Sequence, residues 1–218
     1  LPLSIVYEDN DLLVIDKPAG QLVHPTTKEA HGTVANAVLG LYTARGISLD
    51  FHPCHRLDRN TSGLLLIAKR PEVQHQIART HTLERTYLAL IEGAITPTSG
   101  TIDAPIARAL PSIILRHVAP DGKPARTHYE TVWTNGEHTL LRLRLETGRT
   151  HQIRVHLAHL GYPLLGDDLY GGNTERIPRH ALHSTQLTLS QPCTHEVLTI
   201  TAPLPEDMTE IVHHISIS

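Results

Sequence analysis

The chain has 218 residues, 40% hydrophobic and 19% charged, which suits one globular domain or two closely joined lobes. A formal net charge of −3 argues against indiscriminate coating of nucleic acid, although it is compatible with a local basic groove. No run nears the roughly 18 apolar residues of a membrane helix, and two distant cysteines, Cys54 and Cys193, make neither a disulfide framework nor a zinc site.

The N-terminus shows no basic region followed by an apolar stretch, so no secretory signal is expected and a reducing cytoplasm is the default compartment. A start at Leu1 rather than Met is compatible with a longer natural N-terminus. Segment 4–16 reads as two short strands joined at Glu8-Asp9-Asn10-Asp11, and Lys17-Pro18-Ala19-Gly20 as a second turn. Thr33 is placed to cap a helix whose apolar residues Val34, Ala37, Val38 and Leu41 recur at helical spacing, with Gly46 beyond its end. A polar stretch from His52 to Gly63 leads into a short buried strand, 64–68. Pro71 opens the next helix, with Val73 and Ile77 facing inward.

Strands are predicted at 86–91, 113–118, 127–133 and 139–146, the last with Leu141, Leu143 and Leu145 on one face and Arg142 and Arg144 on the other. Thr147-Gly148 turns into a helix over 150–160 with Ile153, Leu157 and Leu160 inward, Arg154 at the margin of that stripe, and Gly161 as the stop. Two further strands, 182–189 and 197–202, and a short terminal helix complete the chain. Strands joined by short turns with interspersed helices predict an α+β fold on a mixed, mostly antiparallel sheet.

The stretch His55-Arg56-Leu57-Asp58-Arg59-Asn60-Thr61-Ser62-Gly63 is the most informative. It sets a carboxylate in a constrained loop at a strand's start, with a cation two residues before it and hydroxyls able to fix the backbone. For an isolated loop aspartate, the bland reading is a solvated turn cap. The full pattern, HRLD-x-x-TSG, resembles the catalytic signature of the RluA-type pseudouridine synthases. The resemblance extends over nearly the whole chain, through Tyr7 to Gly20, His24-Pro25, Arg85-Thr86-Tyr87, Gly122 to Thr127, Gly148 to His156, Pro163 to Asp167 and Tyr170-Gly171-Gly172.

That resemblance implies one catalytic domain over 1–218, with two lobes and a catalytic cleft between them. It implies Asp58 as catalytic aspartate, Tyr87 as the ring against the target uracil, Arg154 as the partner that favours the ionised form of Asp58, and Arg56 as an aid in displacing the flipped nucleotide. The RNA-binding S4 extension carried by many relatives is not seen in the sequence. The implied reaction breaks C1′–N1 of a uridine and rejoins C1′ to C5, so no redox cofactor, nucleotide or metal is expected. No G-x-G-x-x-G and no G-x-x-x-x-G-K-[ST] occurs.

A carboxylate there can attack C1′, remove a sugar proton or stabilise positive charge on the ribose, in a pocket kept poor in water. Ile153 is placed to pack near the base, and Arg142, Arg144 and Arg149 are candidate phosphate ligands against the reading of plain solvated surface arginines. The expected partner is structured ribosomal or transfer RNA with a flipped uridine, bound by a monomer with no membrane association.

Seventeen histidines raise a rival, a metal hydrolase. His151 and His156 are five apart, roughly 140° around a helix axis, so the H-E-x-x-H geometry is missing. A kinase loop is excluded because the aspartate falls one residue late and no glycine-rich nucleotide loop precedes it. A non-catalytic RNA-binding module is disfavoured because binding alone needs no carboxylate facing phosphates.

Overall fold

The computed structural model describes residues 2–213. In chain order the elements are β1 (Ile5–Glu8), β2 (Leu12–Lys17), α1 (Val34–Ala44), β3 (His52–Pro53), β4 (Ser62–Ala68), α2 (Pro71–Thr80), β5 (Glu84–Glu92), β6 (Ser99–Asp103), β7 (Ile106–Arg108) and β8 (Arg116–Val118). They continue with β9 (Arg126–Thr134), β10 (His138–Leu145), α3 (Gln152–His159), β11 (Leu182–Ser190), β12 (Val197–Thr201) and α4 (Glu206–His213). The architecture is α+β with mostly antiparallel strands. By its internal contacts the chain divides into two compact units, residues 2–85 with Ser184–Pro203, and Thr86–His183 with residues 204–213. No helix among the described residues is long and apolar enough to cross a membrane.

In the first unit the strand order is β1-β2-β4-β11, with β3 beside β4 and β12 beside β11. The β1–β2 turn forms because the Asp9 carboxylate accepts the amides of Asp11 and Leu12 at 2.8 and 2.7 Å, an Asx turn. Every residue of β4 is buried, so its run of apolar side chains is covered on both faces. Leu64, Leu66 and Ala68 pack with Val73 and Ile77 of α2 and with Leu187 and Leu189 of β11. Thr33 caps α1 in a reciprocal capping box with Asn36. The buried face of α1 is Val34, Ala35, Val38 and Tyr42, not the expected face through Ala37 and Leu41. Val34 and Val38 of the expected stripe are buried while Ala37 and Leu41 are only partly so, and the buried face turns toward Ala35 and Tyr42.

In the second unit the order is β5-β10-β9-β6, all antiparallel. Leu141 and Leu143 are buried while Arg142 and Arg144 are exposed, the alternation expected of a strand with one wet face. Met208 and Ile211 dock α4 onto Leu90, Leu140, Leu165 and Ile177. Strands β7 and β8 form a separate hairpin of three paired positions. The strand expected from Ile113 starts only at Arg116. Ser112 Oγ accepts the amides of Ile114 and Leu115, and Arg116 Nη1 donates to the carbonyls of Ile113 and Ile114, curling the tip so that Leu110 and Ile113 stand 82% and 77% exposed. Strands β6 and β7 were not foreseen. Leu160, expected inward, is 39% exposed because α3 ends at His159 and Gly161 turns away at φ +89°.

Candidate active site

Asp58 stands in the first unit, between β3 and β4, on a loop fixed largely through its backbone. Burial alternates along it, with His55 and Leu57 inside, Arg56 outside and Asp58 half-buried. His55 Nε2 accepts the amide of Leu66 at 3.0 Å while the Leu66 carbonyl accepts the Cys54 amide at 2.8 Å. The loop thereby continues the sheet's hydrogen bonding with a side chain. Burial first, and the Arg85 charge second, push the His55 imidazole down to about 3. It is neutral at pH 7, with the proton on Nδ1, since Nε2 is the acceptor.

Past Asp58, the Thr61 amide donates to the Asp58 carbonyl at 3.1 Å and the Gly20 amide to the Arg59 carbonyl at 2.8 Å. Lys17, fully buried, donates from Nζ to the carbonyls of Pro18, Gln21 and Arg59 at 2.9, 2.9 and 2.8 Å. This ammonium locks the Lys17–Gly20 turn to the residue after Asp58. Arg59 also pairs with Glu29 on the surface. Gly63 closes the loop at φ +112°, and a Cβ there would fall 2.2 Å from the Ser184 carbonyl oxygen.

Tyr87, Arg149, Ile153 and Arg154 belong to the second unit. Tyr87 lies on β5 opposite Leu143, 4% exposed. Turn 147–152 is built around Gln152: its Oε1 accepts from Thr147 Oγ1 and the Arg149 amide, and its Nε2 donates to the Arg126 carbonyl and to Thr127 Oγ1. Arg149 spends its Nε on the Pro124 carbonyl at 2.8 Å. Ile153 is buried, as expected.

Arg154, expected at the margin of the inward stripe, is itself buried, because α3 is buried continuously from Gln152 to Leu157. Its Nε and Nη2 donate to the two oxygens of Asp167 at 2.8 and 2.9 Å, a fork in which the Asp167 side chain is wholly buried. The guanidinium carbon lies 5.1 Å from the centre of the Tyr170 ring, within cation–π range. The Tyr170 hydroxyl accepts the Arg116 amide at 3.1 Å and shares a 2.7 Å hydrogen bond with His151 Nδ1. His151 precedes α3 in the left-handed region, at φ +58°.

Arg142 and Arg144 line an open depression with Ser99, Thr101, His128 and Glu130, and Arg142 pairs with Glu130 at 2.8 Å. Of the helical histidines, His156 has both ring nitrogens engaged: Nδ1 accepts from Thr127 Oγ1 at 2.8 Å and Nε2 donates to the Ala104 carbonyl at 2.9 Å. Its burial lowers its pKa, consistent with a neutral structural ring. Burial pushes the Cys54 thiol up to about 12, far from a metal-binding thiolate. Among the described residues, no three His, Cys, Asp or Glu side chains converge as a metal site. Sequence reasoning assigns no role to Lys17, His55, Asp167 or Tyr170; for Asp167 and Tyr170 the signal is membership in the blocks at 163–167 and 170–172.

Comparison with known proteins matches residues 11–159 to the family described as RNA pseudouridylate synthase. An uncharacterized RNA pseudouridine synthase of Bacillus subtilis is 43% identical over 97% of this chain and 76% of its own length. The ribosomal large subunit pseudouridine synthase D of Nitrosomonas europaea is 43% identical over 99% of this chain and 66% of its own. The chain therefore spans about two thirds to three quarters of these relatives. Among solved structures, human RNA pseudouridylate synthase domain containing 4 superposes with a TM-score of 0.80 at 25% identity, over 98% of this chain and 93% of that one.

Proposed function

The chain belongs to the RNA pseudouridylate synthase family, isomerases that convert uridine to pseudouridine in RNA, and we propose that its substrate is a structured RNA with Asp58 as the catalytic carboxylate. Ribosomal RNA is the favoured target, since the relative in Nitrosomonas europaea is named for the large ribosomal subunit; transfer RNA is the second reading. The working form is a cytoplasmic monomer that needs no nucleotide cofactor.

The observation that carries this reading is the Asp58 loop. Its neighbours are tied down by His55, Lys17 and the Gly20 and Thr61 amides, while Asp58 itself stays half-exposed. A carboxylate pre-positioned in this way costs little reorganisation during reaction. In the proposed reaction the uridine leaves its stack at a cost of a few kcal/mol, Tyr87 confines the freed uracil with Ile153 behind it, and Arg154 is the charge partner of Asp58. Arg56, exposed two residues before Asp58, fills the space the nucleotide leaves, and Arg149 contacts phosphate.

The test is tritium release from RNA labelled at uracil C5. Wild type releases tritium, and Asp58→Asn lowers the rate by about 10⁴-fold or more. Undiminished release by the variant removes Asp58 from its role. Loss of wild-type activity in a chelator would favour the metal hydrolase instead. Mapping pseudouridines at nucleotide resolution in cells with and without the protein identifies the RNA.

A further inference from the structure

The Asp58–Tyr87–Arg154 reading leaves a second, fully buried carboxylate unexplained. Asp167 and Tyr170 come from one loop that meets Arg154 in two directions: Asp167 engages the guanidinium edge through Nε and Nη2, and Tyr170 covers its face. Asp167 takes the Nε and Nη2 donors on one edge of the guanidinium, which leaves Nη1 directed along the other edge.

The loop has little freedom. A Cβ at Gly166 would lie 1.9 Å from the Arg179 carbonyl oxygen, and one at Gly172 would lie 2.0 Å from that of Leu164, so the backbone is packed against backbone at both ends. The Gly172 amide donates to the Asp167 carbonyl at 2.7 Å, closing the loop on itself. Tyr170 is anchored in turn by the Arg116 amide and by His151, whose left-handed backbone sets the start of the helix that carries Arg154. A non-glycine residue in that region persists only when its surroundings over-determine it.

We propose that Asp167 is a positioning residue for Arg154, fixing the guanidinium edge-on with Tyr170 as the wall behind its face, so that the remaining donors keep one orientation through the reaction. This inference rests on the proposed role of Arg154 and adds a second carboxylate that acts only through it.

The experiment measures tritium release under single-turnover and saturating conditions for Asp167→Asn, Arg154→Lys and the double variant, with rates referred to folded protein by circular dichroism. Misplacing a reacting group by about 1 Å costs on the order of a hundredfold. Asp167→Asn is expected to lower kcat by about that factor with KM within about twofold, and to have no further effect in the Arg154→Lys background, where the fork is already gone. Because Asp167→Asn removes one counter-charge from a buried guanidinium and puts folding at risk, Tyr170→Leu asks the same question independently. It should lower kcat about tenfold and be silent on Arg154→Lys, while Tyr170→Phe, which keeps the ring but loses the anchors of its hydroxyl, should fall between Tyr170→Leu and wild type.

An unchanged kcat for folded Asp167→Asn, or losses that multiply with Arg154→Lys, overturns the proposal, since a purely structural residue behaves in those ways. Full activity of Arg154→Lys alone shows instead that the reading of Arg154 was wrong, and the inference falls with it.

Discussion

The two units hold their candidate site residues by different means. In the first, the loop of Asp58 is held at its backbone, by the amides of Gly20 and Thr61, by the carbonyls that Lys17 Nζ gathers, and by His55 on the Leu66 amide. In the second, Arg154 is held by side chains, with Asp167 at its edge and Tyr170 at its face. A short carboxylate is aimed by its own backbone, so the backbone is what must be rigid. A long arginine reaches through several rotatable bonds, so its far end needs its own supports.

The comparison can be broken most forcefully at Lys17. Lys17→Met removes an ammonium that satisfies three carbonyls, and it should destabilise the protein by at least about 3 kcal/mol, since each buried acceptor left without its donor costs about 1–3 kcal/mol. Denaturant unfolding checks this; a loss under about 1 kcal/mol would mean the loop has other supports. In the second unit, Thr127→Val removes the hydroxyl shared by His156 and Gln152. The expected cost is about 1–3 kcal/mol by the same measurement, with activity per folded molecule retained.

His55 sharpens the contrast through pH. Its folded pKa lies near 3, below the unfolded value of 6.5, so between those values the unfolded chain binds the extra proton. Stability contributed by the neutral ring is complete above about pH 6.5 and is lost on acidification, at about 1.4 kcal/mol per pH unit. His55→Gln offers an amide oxygen near the position of Nε2 and cannot be protonated. It should unfold with a shallower acid dependence than wild type between pH 6.5 and 4, and superimposable slopes would remove the assignment. The smallest effect is at Arg142. Its exposed pair with Glu130 contributes under about 1 kcal/mol to stability, so Arg142→Ala should leave unfolding nearly unchanged. If the residue contacts phosphate, RNA affinity should lose about 0.7–0.9 from its log–log salt slope.

The difference between the units also explains what could be read from the sequence. The Thr33 cap, the β1–β2 turn and the alternating arginines of β10 were legible because each is decided by residues within a few positions of one another, and the Asp58 loop was legible as a motif although its supports, Lys17 and Gly20, lie far off in sequence. The Asp167–Arg154 fork was not, since nothing in helical spacing says which residue will meet the end of an arginine. Local pattern failed for the same reason at Ile113 and Ile114, where an apolar β-branched run predicted a strand but the curled tip of the hairpin offers no partner strand to pair with. It failed at β6 and β7 because these short strands carry few apolar residues and exist only through β9 and β8.

Gly63 ends the conspicuous HRLD-x-x-TSG signature, yet its demands come from elsewhere: the Ser184 backbone passes where any side chain would stand. One position of a signature can therefore report a chain crossing and not chemistry. In a saturation library scored only for protein abundance, Gly63 should tolerate almost nothing, whereas Asp58 should accept many replacements. Scored for pseudouridine, both columns should go dark, and only the pair of readouts tells the architect's residue from the chemist's.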